Sequence, residues 1–191
     1  MEVRVLQGAP QIRGDNGSNS CRYIFDNMNV SDGAASWMAE AFALAEEAER
    51  AGETPVGAVI VDSRGQIIGR GRNRREEGNP LGHAELEAIA AAARSVHDWR
   101  LTGTTMVVTL EPCAMCAGAI VNARIQRLFF AAFDPKAGFC GSLGNLVQDE
   151  RLNHRVELIT GYEEERARLM LQRFFRSLRG RRFDPDGTSE M

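Results

Sequence analysis

The chain has 191 residues, 23 Lys and Arg against 26 Asp and Glu, a formal net charge of −3 and 43% hydrophobic residues. Such a chain can bury one core without disulfide staples, lacks an apolar run long enough to cross a bilayer, and offers no bulk polycationic surface. Of its four cysteines only Cys113 and Cys116 stand close together, which excludes a disulfide scaffold and points to a reducing compartment.

In chain order, residues 1–35 carry Gly, Asn, Ser and Asp with little periodicity and are expected to form a disordered leader. One folded domain is expected over 36–183, with 184–191 as a tail. Trp37, Ala41, Leu44, Ala45 and Ala48 recur at helical spacing, so an amphipathic helix is expected over Ser36 to Arg50. Val56 to Val61 reads as a buried strand, Asp62 to Gly65 as a turn, and Gln66 to Gly71 as the hairpin partner. A polar loop follows from Arg72 to Gly82. His83 opens a helix running to about Arg94, and Thr105 to Leu110 is a β-branched strand. Pro112 suits the first position of a helix whose first turn would carry Cys113 and Cys116. Arg127 to Ala132 and Val156 to Thr160 are further strands, and Glu163 to Leu178 a closing amphipathic helix. Strands separated by helices predict an α/β fold with a largely parallel sheet opened by one antiparallel hairpin.

The chemistry concentrates in His83-Ala84-Glu85 and Pro112-Cys113-Ala114-Met115-Cys116. His83, Cys113 and Cys116 offer zinc three ligands and leave a fourth tetrahedral position for water, the make-up of a catalytic site rather than a closed structural one. Two thiolates offset the ion's charge while the metal still lowers the pKa of that water, and Glu85 can take its proton. Two helix N-termini are expected to meet at the metal, where their dipoles favour thiolates. A lone Cys-x-x-Cys could be a redox pair or half of a structural zinc site; the companion His-x-Glu in this order points to hydrolysis.

Beyond those motifs lie Thr54-Pro55-Val56-Gly57-Ala58-Val59, Gly71-Arg72-Asn73-Arg74, Thr109-Leu110-Glu111-Pro112-Cys113, Asp134-Pro135-Lys136-Ala137-Gly138 and Leu152-Asn153-His154-Arg155-Val156. With these blocks the chain resembles the bacterial tRNA-specific adenosine deaminases of the zinc-dependent cytidine and deoxycytidylate deaminase superfamily, over roughly residues 36 to 183. The resemblance implies a three-layer α/β/α fold around a five-stranded mixed sheet, one zinc ion per subunit, a homodimer and a cytoplasmic location. It implies hydrolytic deamination of adenosine to inosine at the wobble position of a tRNA anticodon, in an arginine-type tRNA. Zinc-bound hydroxide would attack C6, with Glu85 as the proton shuttle. By the same resemblance Asn73 hydrogen-bonds the target nucleoside and Asp134 faces its ribose 2′-hydroxyl. Asn153 and Phe175 hold neighbouring loop bases, and Glu53 and Val56 stand at the pocket wall. The chain departs from the family pattern at Gly82, where Ala is usual, and at Phe133 and Phe139.

Two other readings compete. The same zinc chemistry serves enzymes acting on a free base or nucleoside such as guanine or cytidine, and a silent tRNA-binding subunit would be expected to lack Glu85. The stretch from Arg166 to Phe183 holds seven arginines and no acidic residue, suited either to RNA phosphates or to a solvated helix face. Loop Asn residues such as Asn73 and Asn153 often serve only local turns. His97 and His154 are not expected to be ligands, and Cys21 and Cys140 read as isolated thiols.

Overall fold

A computed structural model of the chain describes residues 31–182. The expected leader lies outside the described residues up to residue 30, as do residue 183 of the expected domain and the whole tail 184–191. Helix α1 spans Ser31–Arg50 and so begins five residues ahead of the Ser36 expected from periodicity. Its apolar stripe starts earlier: Ala34 is buried in register with Met38, Ala41, Phe42, Ala45 and Ala48.

Five strands follow, β1 (Gly57–Val61), β2 (Ile67–Arg72), β3 (Thr105–Leu110), β4 (Arg127–Ala132) and β5 (Glu157–Thr160), in the spatial order β2-β1-β3-β4-β5. β1 pairs antiparallel with both β2 and β3, whereas β3–β4 and β4–β5 are parallel. The sheet is therefore mixed, and its antiparallel portion extends beyond the expected hairpin to the β1–β3 pairing. Helices α2 (Ala84–Val96) and α3 (Ala114–Asn122) cover one face, and α1 and α4 (Glu164–Arg182) the other.

The central strands are buried on both faces, and their residues alternate between two cores. Ala58, Ile60, Met106, Val108, Leu128 and Phe130 pack towards α2 and α3. Val59, Val61, Val107, Phe129 and Ala131 pack towards α1 and α4. Phe130 on one side and Phe42 on the other are fully buried, each contributing about 1.5–3 kcal/mol by removal from water. α2 lies so close on β2 that a Cβ on Gly71 would stand 2.1 Å from the carbonyl oxygen of Ala84. α4 is tied to α1 by Arg173 to Glu49 at 2.6 Å and by Arg166 stacked 4.0 Å above the Phe42 ring. Among the described residues no helix is long and apolar enough to cross a membrane.

Candidate active site

The site forms where the N-termini of α2 and α3 converge beside β3. His83 is the N-cap of α2 and Cys113 that of α3; both have extended backbones, and neither side chain caps its own helix. Pro112 thus precedes the cap instead of opening the helix, and Cys116 is the third helical residue. Leaving the cap bond unmade frees both side chains for a ligand. Asn73 takes over for α2: its Oδ1 accepts from the backbone N–H of Ala84 at 3.2 Å.

His83 Nδ1 stands 3.5 Å from Cys116 Sγ and 3.7 Å from Cys113 Sγ. The three ligand atoms all lie within 4.8 Å of one another. Two donors on a tetrahedral zinc ion, at ordinary Zn–N and Zn–S lengths, sit about 3.5 Å apart, so the donor set fits zinc in both spacing and softness. Without metal, hydrogen bonding with Cys116 and with His83 lowers the Cys113 thiol to about 3. The Cys116 thiol is pushed up by its bond to Cys113 and by burial. His83 is raised chiefly by its bond to Cys113. Glu85, 4% exposed, is also raised, because burial penalises its charged form.

The cluster lies in a cleft of about 960 Å³, wide enough for a nucleotide and its neighbours. His83, Glu85, Cys113, Asn73, Val56 and Asp134 line it on the sheet side. Phe175, Arg168, Arg176 and Arg179 of α4 line it on the other. Phe175 is 43% exposed, and Arg176 and Arg179 have no ion-pair partner among the described residues. The arginine run therefore divides: Arg173 pairs with Glu49 of α1, Arg166 with Glu163 and more distantly with Glu46, and Arg168 with Glu165 at the cleft edge, while Arg176 and Arg179 line the cleft unpaired among the described residues.

Three sequence candidates stand outside the cleft lining: Cys116, which is fully buried within the metal cluster, Glu53 and Asn153. Glu53 is 2% exposed and spends its carboxylate on the backbone N–H groups of Arg75 and Glu76, at 3.0 and 2.8 Å. It braces the loop after Asn73 from behind. Asn153 is exposed, and its Oδ1 accepts from Arg124 Nη1 at 2.7 Å. His154 bonds the carbonyl of Ile125 at 2.7 Å and Cys140 is wholly buried, so neither side chain is offered to the metal cluster. Arg75, Lys136 and Glu111 line the cleft without having been singled out. The one sequence signal for Glu111 is a carboxylate placed between an apolar strand and Pro112.

Residues 32–132 match the family model of the cytidine and deoxycytidylate deaminase zinc-binding region. The chain is 49% identical over 144 residues to the tRNA-specific adenosine deaminase of Bacillus subtilis, covering 75% of this chain and 89% of that protein. It is 43% identical over 143 residues to the Haemophilus influenzae protein of the same name, covering 74% and 83%. The chain belongs to the tRNA-specific adenosine deaminase family. A solved structure from work on A-to-I editing by tRNA A34 deaminases superposes with a TM-score of 0.69 at 37% identity, over 72% of this chain and 99% of that one. His83, Cys113 and Cys116 all lie inside the span that matches the family's zinc-binding region. Of the departures from the family pattern, Gly82 has a physical account: a Cβ there would lie 2.8 Å from the Arg74 carbonyl oxygen.

Proposed function

We propose that this protein deaminates adenosine to inosine at the wobble position of a tRNA anticodon. The observation that carries the reading is the continuity of the cleft, which joins Glu85 and the His83 and Cys113 corners of the metal cluster to the arginines and Phe175 of α4. The family relatives at 49% and 43% identity support the same substrate.

His83, Cys113 and Cys116 would hold zinc, which supplies Lewis acidity that makes water a nucleophile at neutral pH. Glu85 accepts a proton from the attacking water and passes it to ring N1. It then carries the second proton, from the hydroxyl newly on C6, to the departing amine. The C6–N bond breaks, ammonia leaves, and inosine keeps its N1 proton. Burial of Glu85 keeps bulk water from competing for these protons.

Asn73, its Oδ1 held by Ala84, has its amide nitrogen left to donate to the target nucleoside. Asp134 receives the ribose 2′-hydroxyl, a contact that selects RNA over DNA. Val56 forms apolar wall, Phe175 stacks a neighbouring loop base, and Arg176 and Arg179 meet backbone phosphates. Asn153 binds a base farther from the reacting centre, and Glu53 acts through the loop it braces. A deaminase of free guanine or cytidine needs none of the α4 contacts.

The substrate we propose is an arginine-type tRNA with A at the wobble position, the compartment the cytoplasm, and the assembly a homodimer. Leu81 and Leu143, 57% and 56% exposed, are apolar surface that a second chain can cover. Light scattering should then give a mass twice 21.0 kDa; a single-chain mass at micromolar concentration contradicts the dimer. The activity is tested on an unmodified anticodon stem-loop with A at the wobble position. Inosine appearing at that nucleotide is the expected outcome, and a stem-loop left unchanged refutes the reading.

A further inference from the structure

Glu111 is 2% exposed, lies between the end of β3 and Pro112, and takes no part in the proton transfers above. Four donors converge on its carboxylate. Oε1 accepts from the backbone N–H groups of Cys140 and Ser142, each at 2.9 Å. Oε2 accepts from the N–H of Asp134 at 2.9 Å and from the Ser142 hydroxyl. Three of the four are backbone groups of one segment, residues 134–142, whose first residues line the cleft opposite Asn73.

The segment is shaped around this carboxylate. A Cβ on Gly138 would fall 2.2 Å from Oε2 and 2.7 Å from the Asp134 carbonyl, so only glycine fits between them. Phe139 donates to the Pro112 carbonyl at 2.9 Å, and Gly138 forms a bridge with Cys113. Asp134 Oδ1 accepts from Lys136 and Ala137 at 3.0 and 3.3 Å, which closes the turn and orients its carboxylate.

We propose that Glu111 is a positioning residue that sets the ribose-facing wall of the cleft by holding residues 134–142. The inference rests on the functional reading above. An N–H or hydroxyl aimed at a buried acceptor has nowhere else to go, so the segment keeps one conformation only while both carboxylate oxygens accept. Recognition of the 2′-hydroxyl then depends on Glu111 through the segment it holds, since both carboxylate oxygens are taken up by that segment's donors.

The test compares kcat/KM on two wobble-A stem-loops, one all-ribose and one with a 2′-deoxy target nucleotide, for wild type, Glu111→Gln and Ser142→Ala. The Gln amide presents a donor where two of the four donors point. Glu111→Gln should retain about one zinc per chain and lower the ribose-to-deoxy ratio roughly tenfold, mainly through loss on the ribose substrate. Ser142→Ala, which removes one donor and keeps the carboxylate, should lower the ratio in the same direction by roughly threefold. It carries the test alone if Glu111→Gln does not fold. A ratio unchanged in the folded variants, or zinc lost with Glu111→Gln, overturns the inference and leaves the functional reading standing. A wild type inactive on both stem-loops defeats the functional reading, and the inference with it.

Discussion

Glu85 is held within the site by burial, on the first turn of the helix that His83 caps, so its charge and length can be tested separately from folding. Glu85→Gln keeps the volume and removes the proton acceptor. It should lower kcat by about 10²–10⁴-fold, the range for a positioned acid–base group, with zinc content and melting temperature preserved. Loss of zinc along with activity would instead make Glu85 a support for the metal site. Glu53 poses the opposite case. Glu53→Ala leaves the N–H groups of Arg75 and Glu76 without their acceptor, at about 1–3 kcal/mol for each group that stays buried, and should show as a lowered melting temperature. That His83, Cys113 and Cys116 would come together was legible because zinc demands particular donor types at fixed spacing. The real partners of Glu53 and Asn73 were not, since a carboxylate or amide in a polar loop carries no local mark of which distant N–H it will meet. The resemblance placed both at the pocket, and only Asn73 lines it, while also capping α2.

At the scale of elements, β2 and α2 are matched by the absence of a side chain at Gly71. Gly71→Ala should cost about 1–3 kcal/mol through overpacking against the Ala84 carbonyl, and because Ala84 follows His83 it should also weaken zinc binding. Thermal unfolding with and without added zinc measures both effects. On α4, Arg176→Ala with Arg179→Ala should raise KM for a stem-loop and reduce its salt dependence by about one to two in log–log slope. Unchanged KM and slope would return these arginines to the solvated face. Every strand expected from the sequence exists, because short runs of β-branched or aromatic apolar residues between turn residues leave few alternatives. The antiparallel direction of β3 against β1 was not legible: strands buried on both faces are apolar throughout, and their periodicity says nothing about which way a partner runs. The early start of α1 was hidden for a related reason, since Gly33, Ala34 and Ala35 look like loop until Ala34 meets the sheet.

For the molecule as a whole, the mixed sheet brings two helix N-termini to one end and lays α4 across the same opening, so that the His83 and Cys113 corners and the α4 arginines share a cleft. Its His83 and Cys113 corners come from separate helices, so zinc should cross-link the fold. Removing it with a chelator should abolish activity and lower the melting temperature, with both restored by zinc. A zinc-deaminase cluster could be read from two short motifs, whereas the buried bracing by Glu111 needed contacts between residues 23 to 31 positions apart. The most direct test of the central claim is a competition in one vessel. A wobble-A anticodon stem-loop, free adenosine, guanine and cytidine are incubated together with the zinc-loaded enzyme or its Glu85→Gln variant, and all nucleosides and bases are quantified. Inosine formed in the stem-loop alone, and lost with Glu85→Gln, is the predicted result; turnover of a free base or nucleoside with the stem-loop untouched would contradict it.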